Sequence, residues 1–149
     1  MHLRVATAGD LDLVTSLRLD FLAEQRSDLS ADLVAATPAF VTEHHRAGDL
    51  RSWLALDGDA TLGVVSMLLR PVPPRPSAVG TTEGYLLNLY VVPHRRRAGI
   101  GQLLLDACVG HAEAAGLCQL VLHTTEDGRP MYERAGFVRA DRWYELTLG

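Results

Sequence analysis

The residues with the most chemistry in their order are Arg95-Arg96-Arg97-Ala98-Gly99-Ile100-Gly101-Gln102, between an apolar run, Leu86 to Val92, and a helical pattern from Ile100 onward. A strand, a glycine turn and a helix start make a site for an anion. The first N–H groups of a helix lack internal partners, and its dipole favours negative charge there. Glycine lets a phosphate approach the backbone with no Cβ in the way. The stretch therefore predicts a bound phosphate or pyrophosphate, with the arginines adding charge that forks onto two oxygens and never deprotonates.

The elements that must position this turn follow from periodicity. Leu3–Ala6 reads as a first strand, and Asp10 as the cap of a helix using Leu13, Val14, Leu17 and Phe21. A polar stretch from Gln25 to Ser30 ends that helix. The second helical region reads as divided, with Thr37-Pro38 a fresh start and Gly48 its stop. Trp53–Leu56 and Thr61–Leu69 form a hairpin around Asp57-Gly58-Asp59, and the proline-rich Arg70–Gly80 a loop. Thr82–Val92 is a fourth strand. The helix from Gly99 stops at Gly116, Leu117–His123 is a parallel fifth strand, and Gly128-Arg129-Pro130 opens a short helix. Phe137–Ala140 and Trp143–Leu148 complete the chain as two more strands. The expected fold class is α/β: a single domain over 1–149, with a mixed sheet of six to seven strands flanked by about four helices.

Composition narrows the partners. The chain has 149 residues, 48% hydrophobic and 21% charged, with a formal net charge of −4, so its surface offers no nucleic-acid footprint. No apolar run reaches the ~18 residues of a membrane span, and no leader peptide is apparent, so a cytoplasmic protein is expected. Cys108 and Cys118 read as free thiols. His44-His45 has no third ligand at metal spacing, so no metal site is expected.

Known phosphate turns can be tested against the stretch. A P-loop fails because Gln102-Leu103 follows Gly101, and a dinucleotide fingerprint is weak because Leu104 stands where a third small residue belongs. Arg96-Arg97-Ala98-Gly99-Ile100-Gly101 is similar to the Arg/Gln-x-x-Gly-x-Gly/Ala turn of the GNAT-type N-acetyltransferases. Tyr85–Pro93 resembles that family's fourth strand, and Tyr132-Glu133-Arg134-Ala135-Gly136-Phe137 its late Tyr-x-x-x-Gly-Phe segment. The order of elements resembles the family over nearly the whole chain. Thr125 and Gly128 stand where the family often has Asn and Ala, and Tyr85 where some members carry a glutamate base.

The resemblance implies a splay between the fourth and fifth strands and acetyl-CoA as cosubstrate. Its pyrophosphate would lie on backbone N–H groups from Arg97 through Ala98, Gly99, Ile100 and Gly101 to Gln102, with Arg96 or a neighbour adding charge. The pantetheine arm would follow Leu89–Val92, and an N–H near Tyr90, Val91 or Val92 would meet the developing oxyanion. The acceptor would be a primary amine of a small molecule or peptide, attacking directly in a ternary complex. Tyr132 holds the family's proton-donor position. An alkyl amine is neutral in only about one part in a thousand at pH 7, so a base is useful. Glu83, on the fourth strand, and Glu24, late in the first helix, are the candidates. His123 is a possible relay, and Asn88 a possible lining of the acceptor cleft. A homodimer is a further expectation. The alternatives are a catalytically idle CoA-binding sensor or partner module on the same fold, and a phosphate-binding α/β domain of another kind.

Overall fold

A computed structural model describes residues 1–26 and 28–149. Five strands form one sheet in the order β1 (His2–Val5), β2 (Leu50–Asp57), β3 (Ala60–Pro71), β4 (Thr82–Val91) and β5 (Leu120–Leu122). The first four are antiparallel neighbours, and β5 runs parallel to β4. Four helices cover it: α1 (Leu11–Gln25), α2 (Ala31–Ala47), α3 (Ile100–Ala114) and α4 (Arg129–Arg134). None is long and apolar enough to cross a membrane.

Period-two alternation sends each strand's side chains to two cores. Trp53, Ala55, Val65, Met67 and Leu86 pack with Ile100, Leu104, Leu105 and Cys108 of α3. Leu54, Leu56, Val64 and Tyr90 pack with Val14 and Leu17 of α1 and Val41 of α2. The hairpin forms as expected, with Gly58 at φ 59° in its turn.

One irregularity matters for function. Ser66 pairs with Leu87 and Val64 with Tyr90, so β4 carries an extra residue against Val65. Asn88 sits there at φ 59°, a left-handed conformation that Asn tolerates better than most residues. The bulge resets the alternation. Leu89 and Val91 turn to the α3 core, while Tyr90 and Leu87 join the α1 side.

Three expectations are corrected. Helix α2 is continuous through Pro38 and starts at Ser30, whose Oγ accepts from Leu33 N–H at 3.1 Å. Pro38 is exposed, so water can take the carbonyl it leaves unpaired, and the buried Thr37 hydroxyl satisfies Leu33 O at 2.7 Å. Asp10 stands at the start of α1, but its carboxylate caps the preceding turn, accepting from Thr7 N–H at 2.7 Å and from Arg4 at 2.7 and 2.8 Å. The Arg4 bonds hold it well below the usual carboxylate range.

The third correction is the strand count, which is five and not six to seven. Residues 137–149 form no strand, and Val138, Trp143, Tyr144, Leu146 and Leu148 stay 66–95% exposed. A strand needs a neighbour to take its N–H and C=O groups. Among the described residues the three-residue β5 pairs only with β4, and the tail has no ladder partner.

Candidate active site

The site lies where β4 outruns β5. Their pairing ends at Leu86–Leu122, whereas β4 continues to Val91 along β3. The β4 edge from Leu87 onward is therefore open on the β5 side, which is the splay the sequence implied.

The glycine turn stands at the end of that open edge. Pro93–Arg95 makes one 3-10 turn, and then Arg97 (φ 66°) and Gly99 (φ 82°) both adopt left-handed backbone on either side of Ala98. Such reversals gather successive N–H groups into a concave nest for anions. Arg95 and Arg96 N–H groups bond back to Val92 and Pro93 carbonyls, at 3.0 and 3.3 Å. Those from Arg97 to Gln102 have no acceptor among the described residues, and α3 begins at Ile100. A Cβ on Gly101 would lie 3.5 Å from Met131 Sδ and 3.8 Å from Val91 Cγ2. The turn, the end of β4 and α4 therefore converge.

Tyr132 follows Met131 on α4. Its ring packs edge-on to Phe137, centroids 5.8 Å apart, against the α3 core. Burial pushes its phenol up to about 12, with nearby Cys108 adding to the shift. The hydroxyl thus stays protonated at neutral pH, as a proton donor must. A Cβ at Gly128 would crowd Thr124 Oγ1 at 2.7 Å, while lying at ordinary contact distance, 3.4 Å, from Tyr132 Cε2. The sequence departure at Gly128 therefore has a packing cause.

Of the three arginines, Arg96 points back at the fold. Its Nε donates to Val91 O at 2.8 Å, its Nη2 reaches both Glu24 oxygens at 2.8 Å, and its guanidinium lies 5.4 Å from the Tyr90 ring centroid. Tyr90 Oη also donates to Glu24, at 3.4 Å. Burial and then the Glu24 carboxylate raise the Tyr90 phenol above its ordinary range. Arg95 reaches Asp57 at 3.5 Å. This Glu24–Arg96–Tyr90 cluster ties α1 to the turn across 72 residues of sequence. Sequence periodicity carries no signal for it, because nothing local relates position 24 to position 96.

Glu83, the other candidate base, is buried on the α1 side of β4. It accepts from Arg70 Nη2 and from Gln119 Nε2, both at 2.8 Å, and Arg70 lies over the Tyr85 ring at 4.7 Å. His123 stands edge-on between Tyr85 and Trp143, at 5.8 and 6.2 Å. Asn88 is 4% exposed and accepts from Arg18 Nη1 at 2.6 Å.

Comparison with known proteins supplies the remaining findings. The model of the acetyltransferase (GNAT) family matches residues 12–137. A crystal structure of a predicted acetyltransferase with acetyl-CoA from Clostridium acetobutylicum superposes with a TM-score of 0.91, at 25% identity, covering 98% of this chain and 95% of that one. A GCN5-related N-acetyltransferase from Ralstonia eutropha gives a TM-score of 0.87 at 29% identity, covering 99% of each chain. A curated mycothiol acetyltransferase from Geodermatophilus obscurus is 38% identical over 93 residues, 58% of this chain but only 28% of that protein.

Proposed function

The chain belongs to the GNAT acetyltransferase family, and from that premise we propose that it transfers an acetyl group from acetyl-CoA to a primary amine of a small molecule or peptide. The observation that carries the proposal is the run of N–H groups from Arg97 to Gln102 without acceptors among the described residues, opening beside the β4 edge that β5 leaves unpaired. It offers a pyrophosphate its ligands and an extended pantetheine arm a strand to pair with. Arg97, with no carboxylate partner among the described residues, would add charge there, since Arg96 is engaged by Glu24 and Arg95 by Asp57.

The reaction is direct. The amine lone pair attacks the thioester carbonyl, the C–N bond forms, and an N–H near Tyr90–Val91 stabilises the oxyanion. The C–S bond then breaks, and Tyr132 protonates the leaving thiolate to give free CoA. The amine proton passes to a carboxylate. Glu24 is the preferred base, because it is half-exposed and holds Tyr90 Oη beside β4. Glu83, more deeply buried, is the second assignment. Titration calorimetry with acetyl-CoA tests the donor: micromolar binding is expected, and no heat at millimolar concentration refutes the proposal.

One observation favours a second reading. Both candidate bases are already held by arginines, Glu24 by Arg96 and Glu83 by Arg70. A CoA-binding module without turnover fits that pairing. It predicts acetyl-CoA binding without thiol release across a broad amine panel, whereas the enzyme releases one thiol per acetylated amine.

A further inference from the structure

Six of the fourteen arginines pair with carboxylates among the described residues, the shortest contacts being Arg4 with Asp10, Arg70 with Glu83, Arg96 with Glu24 and Arg129 with Glu133. Arg18 does not. It is half-buried on the sheet-facing side of α1, and no Asp or Glu pairs with it among the described residues. Its bond to the Asn88 carbonyl oxygen uses one Nη1 donor and supplies no charge. Burial holds its pKa below the ordinary arginine value. A cation kept from water without a counterion is costly, and a bound anion offsets that cost.

Arg18 lines two adjoining cavities on the α1–α2 face. One, of about 310 Å³, is walled by Val14, Leu33, Phe40 and Leu87, with Arg18 and Asn88 among its polar members beside Thr37 and Tyr85. The other, of about 490 Å³, adds Leu22, the second cation Arg26 and the carboxylate of Asp28, which is not within salt-bridge distance of Arg18. Leu33 and Phe40, both lining the first cavity, are 38% and 42% exposed, so part of the apolar surface there is left uncovered by the described residues. The bulge explains the polar pair. Asn88 follows Leu87, which lies on the α1 side, and unbroken alternation would send it toward α3. Its left-handed backbone instead turns it onto Arg18.

We infer that Arg18, aimed by Asn88, is the anchor for a carboxylate on the acceptor, making the acceptor a small amine that carries a carboxylate and an apolar group. The inference rests on the acetyl-transfer reading of the neighbouring site. With Nη1 spent on Asn88, the guanidinium keeps the Nε–Nη2 edge, which forks onto the two oxygens of a carboxylate. A single guanidinium matches a monoanion. The anchor stands two to three residues along β4 from Tyr90–Val91, roughly 7–10 Å at the strand rise. Amine and carboxylate therefore belong at opposite ends of the acceptor, as in an ω-amino acid or a dipeptide.

The test uses matched acceptors in a thiol-release assay: Leu-Phe against Leu-Phe-amide for the peptide source, and 4-aminobutyrate and 6-aminohexanoate against butylamine and hexylamine for the free acid. In the native protein kcat/KM is expected to be ~10–100-fold higher for the acid member of at least one pair, the span of a charge-assisted hydrogen bond. Arg18→Gln, which keeps a donor for Asn88 but no charge, should abolish that preference through KM with kcat held. Arg18→Lys should restore part of it. Equal rates for acid and neutral members in the native protein, or a loss in Arg18→Gln that is equal for both, overturns the anchor. An activity-independent readout is thermal shift with 3-phenylpropionate, which has no amine. It should stabilise the native protein and not Arg18→Gln, and equal shifts in both overturn the anchor as well. Should acetyl-CoA fail to bind, the donor reading falls while this shift still reports on Arg18.

Discussion

The two halves of the cleft are built in different ways. In the proposed site the donor half is backbone. Its N–H donors are presented by Arg97 and Gly99 in left-handed conformations and by the first turn of α3, all within one short stretch. The proposed acceptor half is side chains gathered from afar, with Arg18 meeting Asn88 across 70 residues. Backbone ligands recognise what every CoA thioester shares. Side chains on helices, free to differ, recognise what one amine has and another lacks. A common donor and a variable acceptor are served by that division.

Four perturbations sharpen or break the contrast. The largest effect is expected where the halves meet. Tyr132→Phe removes the proton for the thiolate and should lower turnover by ~100-fold or more, the range of general acid catalysis. Calorimetric affinity for acetyl-CoA should hardly change; unchanged turnover would take Tyr132 out of the mechanism.

Next is the donor backbone. Gly99→Val forces a β-branched residue into φ 82° although nothing lies within 4 Å of the new Cβ, so strain of ~1–3 kcal/mol is the whole cost. Acetyl-CoA affinity should fall on the order of 10–100-fold. A variant binding as tightly as the native chain would show that the nest is not needed.

Glu83→Ala and Glu24→Gln separate structure from chemistry on the acceptor side. Glu83 is buried with two donors, so its loss should cost ~1–3 kcal/mol in urea unfolding. Glu24 and Arg96 are about two-fifths exposed, and breaking that pair should cost less than ~1 kcal/mol. If Glu24 is the base, Glu24→Gln nevertheless depresses kcat, whereas Glu83→Ala leaves kcat per folded molecule intact. The reverse pattern would transfer the role to Glu83.

The smallest effect is on alkaline stability. Tyr132 and Cys108 are both pushed up to about 12 by burial. Their native pKa values exceed the unfolded ones, so their neutral forms favour folding at low pH. That stability is intact below about pH 9. It should then decline as pH rises toward 12, because the unfolded chain gives up those protons first. Tyr132→Phe should flatten the decline measured by thermal unfolding; an identical decline would mean the phenol titrates alike in both states.

The same contrast explains what could be read before the fold was known. Strand, glycine turn and helix are neighbours in sequence, so that order was legible from Leu86 to Leu105 and its family resemblance is upheld. Strands β1 to β4 were legible because alternation and the Asp-Gly turn are local signals. Pro38 misled because the cost of an internal proline depends on which face it occupies, a tertiary fact. The terminal strands misled because a strand's existence depends on a partner, and residues 137–149 have none among the described residues. Asn88, inside the apolar fourth strand, read as a possible lining of the acceptor cleft. Its meaning lay in a one-residue bulge against Val65 that only the pairing with β3 reveals.

Cys108 has a use as a reporter. It is fully buried on the sheet-facing side of α3, and its thiol is pushed far from the reactive thiolate form, whereas Cys118 is only partly covered. A disulfide reagent added to the native protein should therefore titrate Cys118 promptly and leave Cys108 untouched until the helix lifts from the sheet. The slow second equivalent times that opening. Ligands that bind only the closed form should lengthen it in proportion to their occupancy.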